Sequence, residues 1–172
     1  MYKMFIALLA CLSISVHASQ CNDWLASDQQ DVVNRAYQLG VDNDMGWSLA
    51  AIAFKESSAG RVLVNDITKD YGVFGININT ATRRTQKLLG GVSLTDEQIY
   101  GLSRHLTSDF NDGAMFAIFE LTFWIKVHGE DWKKIWAGYN GGYSRSNASL
   151  AYSDDIIKIM KKLKKLKCIK NV

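Results

Sequence analysis

Beyond its first eighteen residues the chain runs in stretches whose apolar residues recur three and four apart, the period of a helix with one buried face. No proline interrupts them. SDQQDVVNRAYQLG has Ser27 as a possible cap, Val32, Ala36 and Leu39 as an inner face, and Gly40 as its stop. DNDMGWSLAAIAFKESSAG predicts a second helix from about Asp44 to Ser57, ended by Gly60. RVLVNDITKDYGVFGININT is different in kind. It is rich in β-branched and aromatic residues, with turn signals at Asn65-Asp66 and Lys69-Asp70, and predicts a small β-excursion or an irregular loop. Helical patterning resumes from about Thr80 to Leu89 and stops at Gly90-Gly91; Thr95 to Gln98 reads as a capping box opening another helix. The segment from about Asp112 to Val127 is apolar on most faces and predicts the central buried helix, with Gly129 beyond its end. EDWKKIWAGYNGG reads as a short helix running into a glycine turn, and SRSNASLAYSDD as a polar loop. A lysine-rich helix closes the chain. The class is α+β, mainly α.

The first eighteen residues stand apart. Lys3 precedes a nearly continuous apolar run from Met4 to Val16, and Val16-His17-Ala18 places small residues for cleavage after Ala18. This is the pattern of a secretory signal peptide over 1–18, leaving one domain over 19–172. An uncleaved anchor is the alternative, but about thirteen apolar residues fall short of the roughly twenty that a spanning helix needs. A lipoprotein signal at Cys11 fits less well, because the apolar run continues past it. Export implies a periplasmic or extracellular protein. It also leaves two cysteines, Cys21 and Cys168, at the two ends of the mature chain. In an oxidising compartment an even pair suggests a disulfide tying the termini, worth about 5 kcal/mol in the chain-entropy picture. Two unrelated thiols are the alternative.

Composition is ordinary for a globular domain, at 48% hydrophobic and 22% charged, and a net charge of +3 does not call for nucleic acid. The positive charge is unevenly placed. KIMKKLKKLKCIK carries seven lysines, while Ile156, Ile159, Met160 and Leu163 keep helical spacing. A helix docked on the core with a solvated lysine face explains this. Attraction to an anionic envelope polymer or a membrane surface is the sharper alternative.

The chemistry narrows by exclusion. His105 and His128 sit in no metal-ligand spacing, and no nucleophile elbow, P-loop or dinucleotide-binding glycine pattern occurs. Neither a metal nor a cofactor is called for. Glu56 remains. Leu49, Ile52 and Ala53 form one helix face, and Glu56 occupies the next position on it. A carboxyl group on an apolar face is desolvated, stays protonated to higher pH, and can then donate a proton to a leaving oxygen. The alternative is a helix that frays at Lys55 and leaves Glu56 in solvent. DYGVFGININ (Asp70 to Asn79) and AGYNGG (Ala137 to Gly142) combine aromatic, amide and glycine residues, a mixture suited to a saccharide cleft. Either segment alone reads as a turn with a packed tyrosine.

Taken in order, KES, YGVFGIN and AGYNGG resemble the soluble lytic transglycosylase domain family of the lysozyme-like superfamily. That family has E-S after an apolar helix, then G-L-M-Q-I or a close variant, then A-Y-N-A-G, then a tyrosine before the last helix. Here the pattern falls on Glu56-Ser57, Gly72 to Asn77, Ala137 to Gly142, and Tyr152. DFNDGAMFAIFEL also resembles the segment opening the family's buried helix. The likeness spans about Cys21 to Lys167. The small, exported layout is similar to specialised transglycosylases of secretion and conjugation machines, and a phage cell-wall enzyme is a further setting. Two departures stand out. Gly75 replaces the family's glutamine, removing an amide expected to line the cleft. Gly138 and Gly141 replace alanines, a mild change.

The resemblance implies a lysozyme-like fold and a peptidoglycan glycan strand as substrate. Glu56 would protonate the β-1,4 glycosidic oxygen between N-acetylmuramic acid and N-acetylglucosamine. As carboxylate it would then take the proton of the C6 hydroxyl that closes a 1,6-anhydro ring. Ser57, Tyr139 and Asn140 would orient the sugar, Tyr71, Gly72, Phe74, Ile76 and Asn77 would shape the cleft, and Tyr152 would support the site. A water-using lysozyme would want a second carboxylate. Asp66 and Asp70 are the candidates, with turn chemistry as their preferred role. A non-catalytic glycan-binding or assembly protein is the third reading, hinted at by Gly75.

Overall fold

A computed structural model describes residues 20–144 and 146–170; the expected signal peptide and Cys11 lie outside them. Among the described residues, seven helices and a small sheet follow a short helical stretch at 20–22. Helix α1 spans Ser27–Gly40 and α2 spans Gly46–Ser57, joined by a 3-10 turn over Val41–Asn43. The strands are β1 (Val64–Asn65), β2 (Asp70–Tyr71) and β3 (Ile76–Asn77). Then come α3 (Ile78–Leu88), α4 (Asp96–Ser108), α5 (Phe110–His128), α6 (Trp132–Gly141) and α7 (Asn147–Lys165). The sheet is antiparallel in the order β1-β2-β3, with Val64 opposite Tyr71 and Tyr71 opposite Ile76. The architecture is α+β and mainly helical.

Helix α2 is the spine. Leu49, Ala50, Ala51, Ile52 and Ala53 are all fully buried, so the expected stripe is part of a helix covered on most sides. Each large aliphatic side chain contributes about 1.5–3 kcal/mol on burial. One cluster joins Leu49, Ile52 and Ala53 to Phe74, Leu106, Leu121, Ile135 and Ile156. A second gathers Leu25, Val33, Ala50, Leu163 and Ile169 around a Cys21–Cys168 disulfide that links residues 147 apart. Lys162 lies 4.2 Å from the centre of the Trp24 ring and Lys164 4.8 Å from that of Trp47, so part of the lysine face caps this second cluster. Among the described residues no helix is long and apolar enough to cross a membrane.

Four expectations change. The inner face of α1 centres on Val33 and Ala36, with Val32 and Leu39 only partly covered. The helix opens one residue earlier than expected, because the Gln29 side chain reaches back to the Ala26 amide and Ser27 is already helical. Helix α5 buries a single stripe, Gly113, Ala114, Ala117, Leu121 and Trp124, and exposes Met115 and Phe119. Asn147 to Asp155 is helix rather than loop. Ser146 caps it by accepting from the Ser149 amide, which places Tyr152 inside α7.

Candidate active site

The end of α2 sets the position of Glu56. Ser57 Oγ donates to the Ala53 carbonyl and accepts from the Gly60 amide, so the last turn closes on itself. The chain then takes three left-handed residues in succession, Ser58 (φ 50°), Ala59 (φ 54°) and Gly60 (φ 87°). Such a conformation costs a non-glycine residue about 1–2 kcal/mol. Gln29 Nε2 holds the turn by donating to the Ser58 carbonyl at 2.9 Å. Glu56 is therefore helical and partly buried rather than frayed.

Its carboxyl faces a cleft of about 770 Å³. Asp70, Gly75, Ile76 and Asn77 line one side and lead into the face of α3 that carries Thr80, Arg83, Arg84 and Lys87. Phe116, Glu120, Phe123 and Trp124 of α5 line another, and the end of α6 with its turn contributes Tyr139, Asn140 and Tyr143. Tyr152 Oη donates to Glu56 Oε1 at 2.5 Å, and Tyr139 Oη donates to the Phe74 carbonyl at 2.8 Å. Burial pushes the Glu56 pKa up from 4.5 to about 7. The Tyr152 hydrogen bond opposes that rise, the charge of Asp70 adds to it, and Lys55 opposes it weakly. Lys55 itself is engaged with Asp155 at 2.8 Å. Burial, with the Glu56 charge beside them, also drives both tyrosine hydroxyls well above their ordinary range, so they serve as neutral donors.

The expected residues divide. Glu56, Ile76, Asn77, Tyr139 and Asn140 meet on the cleft, and Tyr152 backs Glu56. Ser57 is 1% exposed and serves the helix end, and Phe74 is wholly buried with its ring edge-on to Phe110; neither side chain can touch a substrate. Tyr71 packs on the core from β2. Gly72 lets the hairpin press against the Leu106 carbonyl, where any Cβ would collide. The Asn77 amide is committed internally. Its Nδ2 donates to Thr68 O and Asp70 Oδ1, and its oxygen accepts from the Asn79 amide to cap α3. Of the two candidate second carboxylates, Asp66 is exposed in the hairpin turn, while Asp70 lies in the cleft.

The glycine departures acquire reasons. A Cβ on Gly75 would sit 2.5 Å from Glu56 Oε2, and the residue has φ 57°. Gly75 thus leaves room for the carboxylate. Gly138 and Gly141 are not mild replacements. A Cβ on Gly138 would lie 2.5 Å from the Trp124 ring, and one on Gly141 would overlap Ser149 Oγ. These glycines let α6 pack closely on α5 and α7.

Sequence reasoning missed one wall. Arg84 and Glu120 form a two-bonded ion pair, Nε to Oε2 at 3.0 Å and Nη2 to Oε1 at 3.1 Å. Trp124 Nε1 donates to the same carboxylate at 2.9 Å, and the Arg84 guanidinium lies 3.8 Å from the centre of the Phe123 ring. Tyr143 is 75% exposed and packs edge-on to Trp124, offering a ring at the cleft rim. The Glu120–Trp124 spacing of one helical turn was the available signal. Elsewhere, the fold brings His105, Asp109 and Asp112 together despite their lack of a ligand spacing. The Asp109 carboxylate caps α5 through the Asn111 and Asp112 amides, and His105 contacts Asp112.

The chain is similar to an uncharacterised 20.7 kDa protein from the vs-regB intergenic region of Enterobacteria phage T4, 27% identical over 100% of this chain and 99% of that protein. No protein-family model matches the chain. No solved structure matches it either.

Proposed function

We propose that this protein is a peptidoglycan lytic transglycosylase with a lysozyme-like fold, acting outside the inner membrane on glycan strands. The observation that carries the reading is Glu56, a carboxyl group whose pKa burial lifts to about 7, facing an open, aromatic-lined cleft. Near neutral pH such a group is populated both as acid and as carboxylate, and the reaction uses both. The acid gives its proton to the glycosidic oxygen between N-acetylmuramic acid and N-acetylglucosamine as the C1–O bond breaks. The C6 hydroxyl of the muramic acid residue then bonds to C1, and its proton returns to the Glu56 carboxylate. No water enters and Glu56 ends as it began. The Tyr152 hydroxyl steadies the carboxylate between the two steps, and Asn140 is exposed on the cleft to meet a sugar. The phage T4 relative favours the phage setting over a secretion or conjugation machine.

Asp70 supports a second reading, a lysozyme-type hydrolase on the same site, because it lies in the cleft and its charge reaches Glu56. The two differ in product. Purified peptidoglycan digested with the exported protein and with Glu56→Gln, analysed by mass spectrometry, yields 1,6-anhydro ends from the unmodified protein alone if the first reading holds. Ordinary reducing ends, lost in Asp70→Asn, mean hydrolysis. Binding to peptidoglycan with no fragments from either protein rejects both in favour of a glycan-binding role.

A further inference from the structure

Helix α3 carries Arg83, Arg84 and Lys87 and no acidic residue, and all three cations line the cleft. Their surroundings differ. Arg84 is neutralised by Glu120. Arg83 and Lys87, one turn apart and both exposed, pair with no carboxylate among the described residues. Arg83 Nη2 donates to the Thr80 hydroxyl at 3.1 Å, which leaves most of the guanidinium fork open. Like charges four apart on a helix repel, so their pairing does not serve the helix. Lys87, in the last turn, gains a little from the helix dipole; Arg83 stands a turn earlier and gains less. Of the other two acids of the cleft, Asp70 accepts from the Asn77 amide and Glu56 from the Tyr152 hydroxyl. An extended ligand lying in the cleft would thus pass two unpaired cations beside a paired one.

We infer that Arg83 and Lys87 form a carboxylate-binding subsite that selects strands by the acidic groups on their muramic acid residues. This rests on the proposed function and deepens it, since it separates bacterial wall glycan from neutral glucosamine polymers. Such a strand offers the carboxylate in two ways. With the stem peptides in place, the acid groups belong to the peptide. With the peptides removed, the lactyl group itself is a free carboxylate. Arg83 can hold either with paired N–H bonds, and Lys87 adds a point charge.

The test uses the Glu56→Gln protein, so that binding is measured without turnover. Three soluble ligands are titrated: peptide-bearing glycan strands, strands stripped of peptide by an amidase, and neutral chitooligosaccharide. Each is repeated with Arg83→Glu and Lys87→Glu added together, and with Arg83→Lys alone. The acidic strands are expected to bind roughly tenfold tighter than chitooligosaccharide at low salt. That advantage shrinks as salt is raised, disappears in the double reversal, and is only partly kept by Arg83→Lys, which retains the charge but loses the paired N–H bonds. Tighter binding of the peptide-bearing strands assigns the subsite to the stem peptide; equal or tighter binding of the stripped strands assigns it to the lactyl group. Equal affinity for all three ligands, or a reversal that weakens chitooligosaccharide as much as the acidic strands, overturns the subsite and leaves the cleavage reading intact. Binding of none of the three overturns both, and the peptidoglycan digest would then release no fragments.

Discussion

Glu56 and Glu120 line the same cleft, and their surroundings set them to different tasks. Glu56 ends the buried helix α2. Its hydrogen-bond partner is a neutral tyrosine hydroxyl, and its neighbour Lys55 is turned to Asp155. Glu120 sits on α5 with its side chain 14% exposed, but a guanidinium grips both its oxygens and an indole N–H adds a third bond. Burial is common to both, and what differs is the bonded partner. The cation does the sorting. Where one is present the charge is matched and the wall is fixed; where it is absent the carboxyl keeps its proton toward neutral pH. On the proposed function the cleft needs both, a wall that holds its shape and a group that can change charge.

The contrast is broken most severely at Glu56 itself. Glu56→Gln keeps the shape and the Tyr152 contact but cannot release a proton. Turnover of peptidoglycan, followed by release of soluble fragments, should fall by roughly 10²–10⁴-fold, the usual worth of a general acid. The melting temperature should be held or raised, because a neutral amide suits the site. Glu120→Gln is expected to do the reverse. It leaves Arg84, 19% exposed, without its counter-charge, which should lower stability by about 3 kcal/mol in urea titrations. Turnover should drop far less than in Glu56→Gln.

The pH dependence of stability separates the two groups without touching Glu120. Below about pH 4.5 Glu56 is protonated both folded and unfolded, and the native state bears no penalty. Between 4.5 and about 7 the unfolded chain releases the proton while the native state retains it. The unfolded state then binds fewer protons, so stability falls as pH rises through this window, by on the order of 3 kcal/mol in total. Urea midpoints measured from pH 4.5 to 8 should show this slope, and Glu56→Gln should remove it. Activity should decline above about pH 7, as the acid form is lost.

Gly75 sharpens the point on a smaller scale. Alanine there must adopt φ 57° and place a methyl group against Glu56 Oε2. The backbone term alone costs about 1–2 kcal/mol. The carboxylate must also shift from Tyr152, so activity should fall as well. A glutamine at this position, as in the resembled family, should not raise activity.

How far the sequence showed this depends on how each residue announces itself. Glu56 was legible because a carboxylate interrupts a run of Leu49, Ile52 and Ala53, and the glycine stops placed most helix ends within two residues. The Arg84–Glu120 pair was not legible, since the two lie 36 residues apart on different helices and each resembles an ordinary surface charge. Asn77 looks like a cleft amide in the sequence because an amide's partners are invisible there; the folded chain engages both its nitrogen and its oxygen internally. The start of α7 was hidden for a different reason. Its buried positions there are Ser149, Tyr152 and Ser153, small hydroxyls and one tyrosine, so the apolar period that marks a buried helix is missing until Ile156. The polar face against the site is what disguised it.

That disguised turn supplies the smallest and most selective test. Tyr152 is 5% exposed and donates to Glu56 from a helix that begins 91 residues after the Glu56 position. Its hydroxyl favours the carboxylate, and so opposes the effect of burial on Glu56. Tyr152→Phe keeps the ring and removes that donor. The Glu56 pKa should then rise further, and the alkaline limb of the activity profile should move up with it. At neutral pH the acid form becomes more populated, which helps the first proton transfer. On the proposed mechanism, the carboxylate that recovers the C6 proton is less well supported, which hurts the second. The net change at pH 7 should be small, while the shift of the limb is visible across the full profile. A merely structural tyrosine would lower activity at every pH and leave the limb where it was. A limb that stays in place in Tyr152→Phe would mean that burial alone sets the Glu56 pKa, and the contrast between the two walls would rest on Arg84 alone.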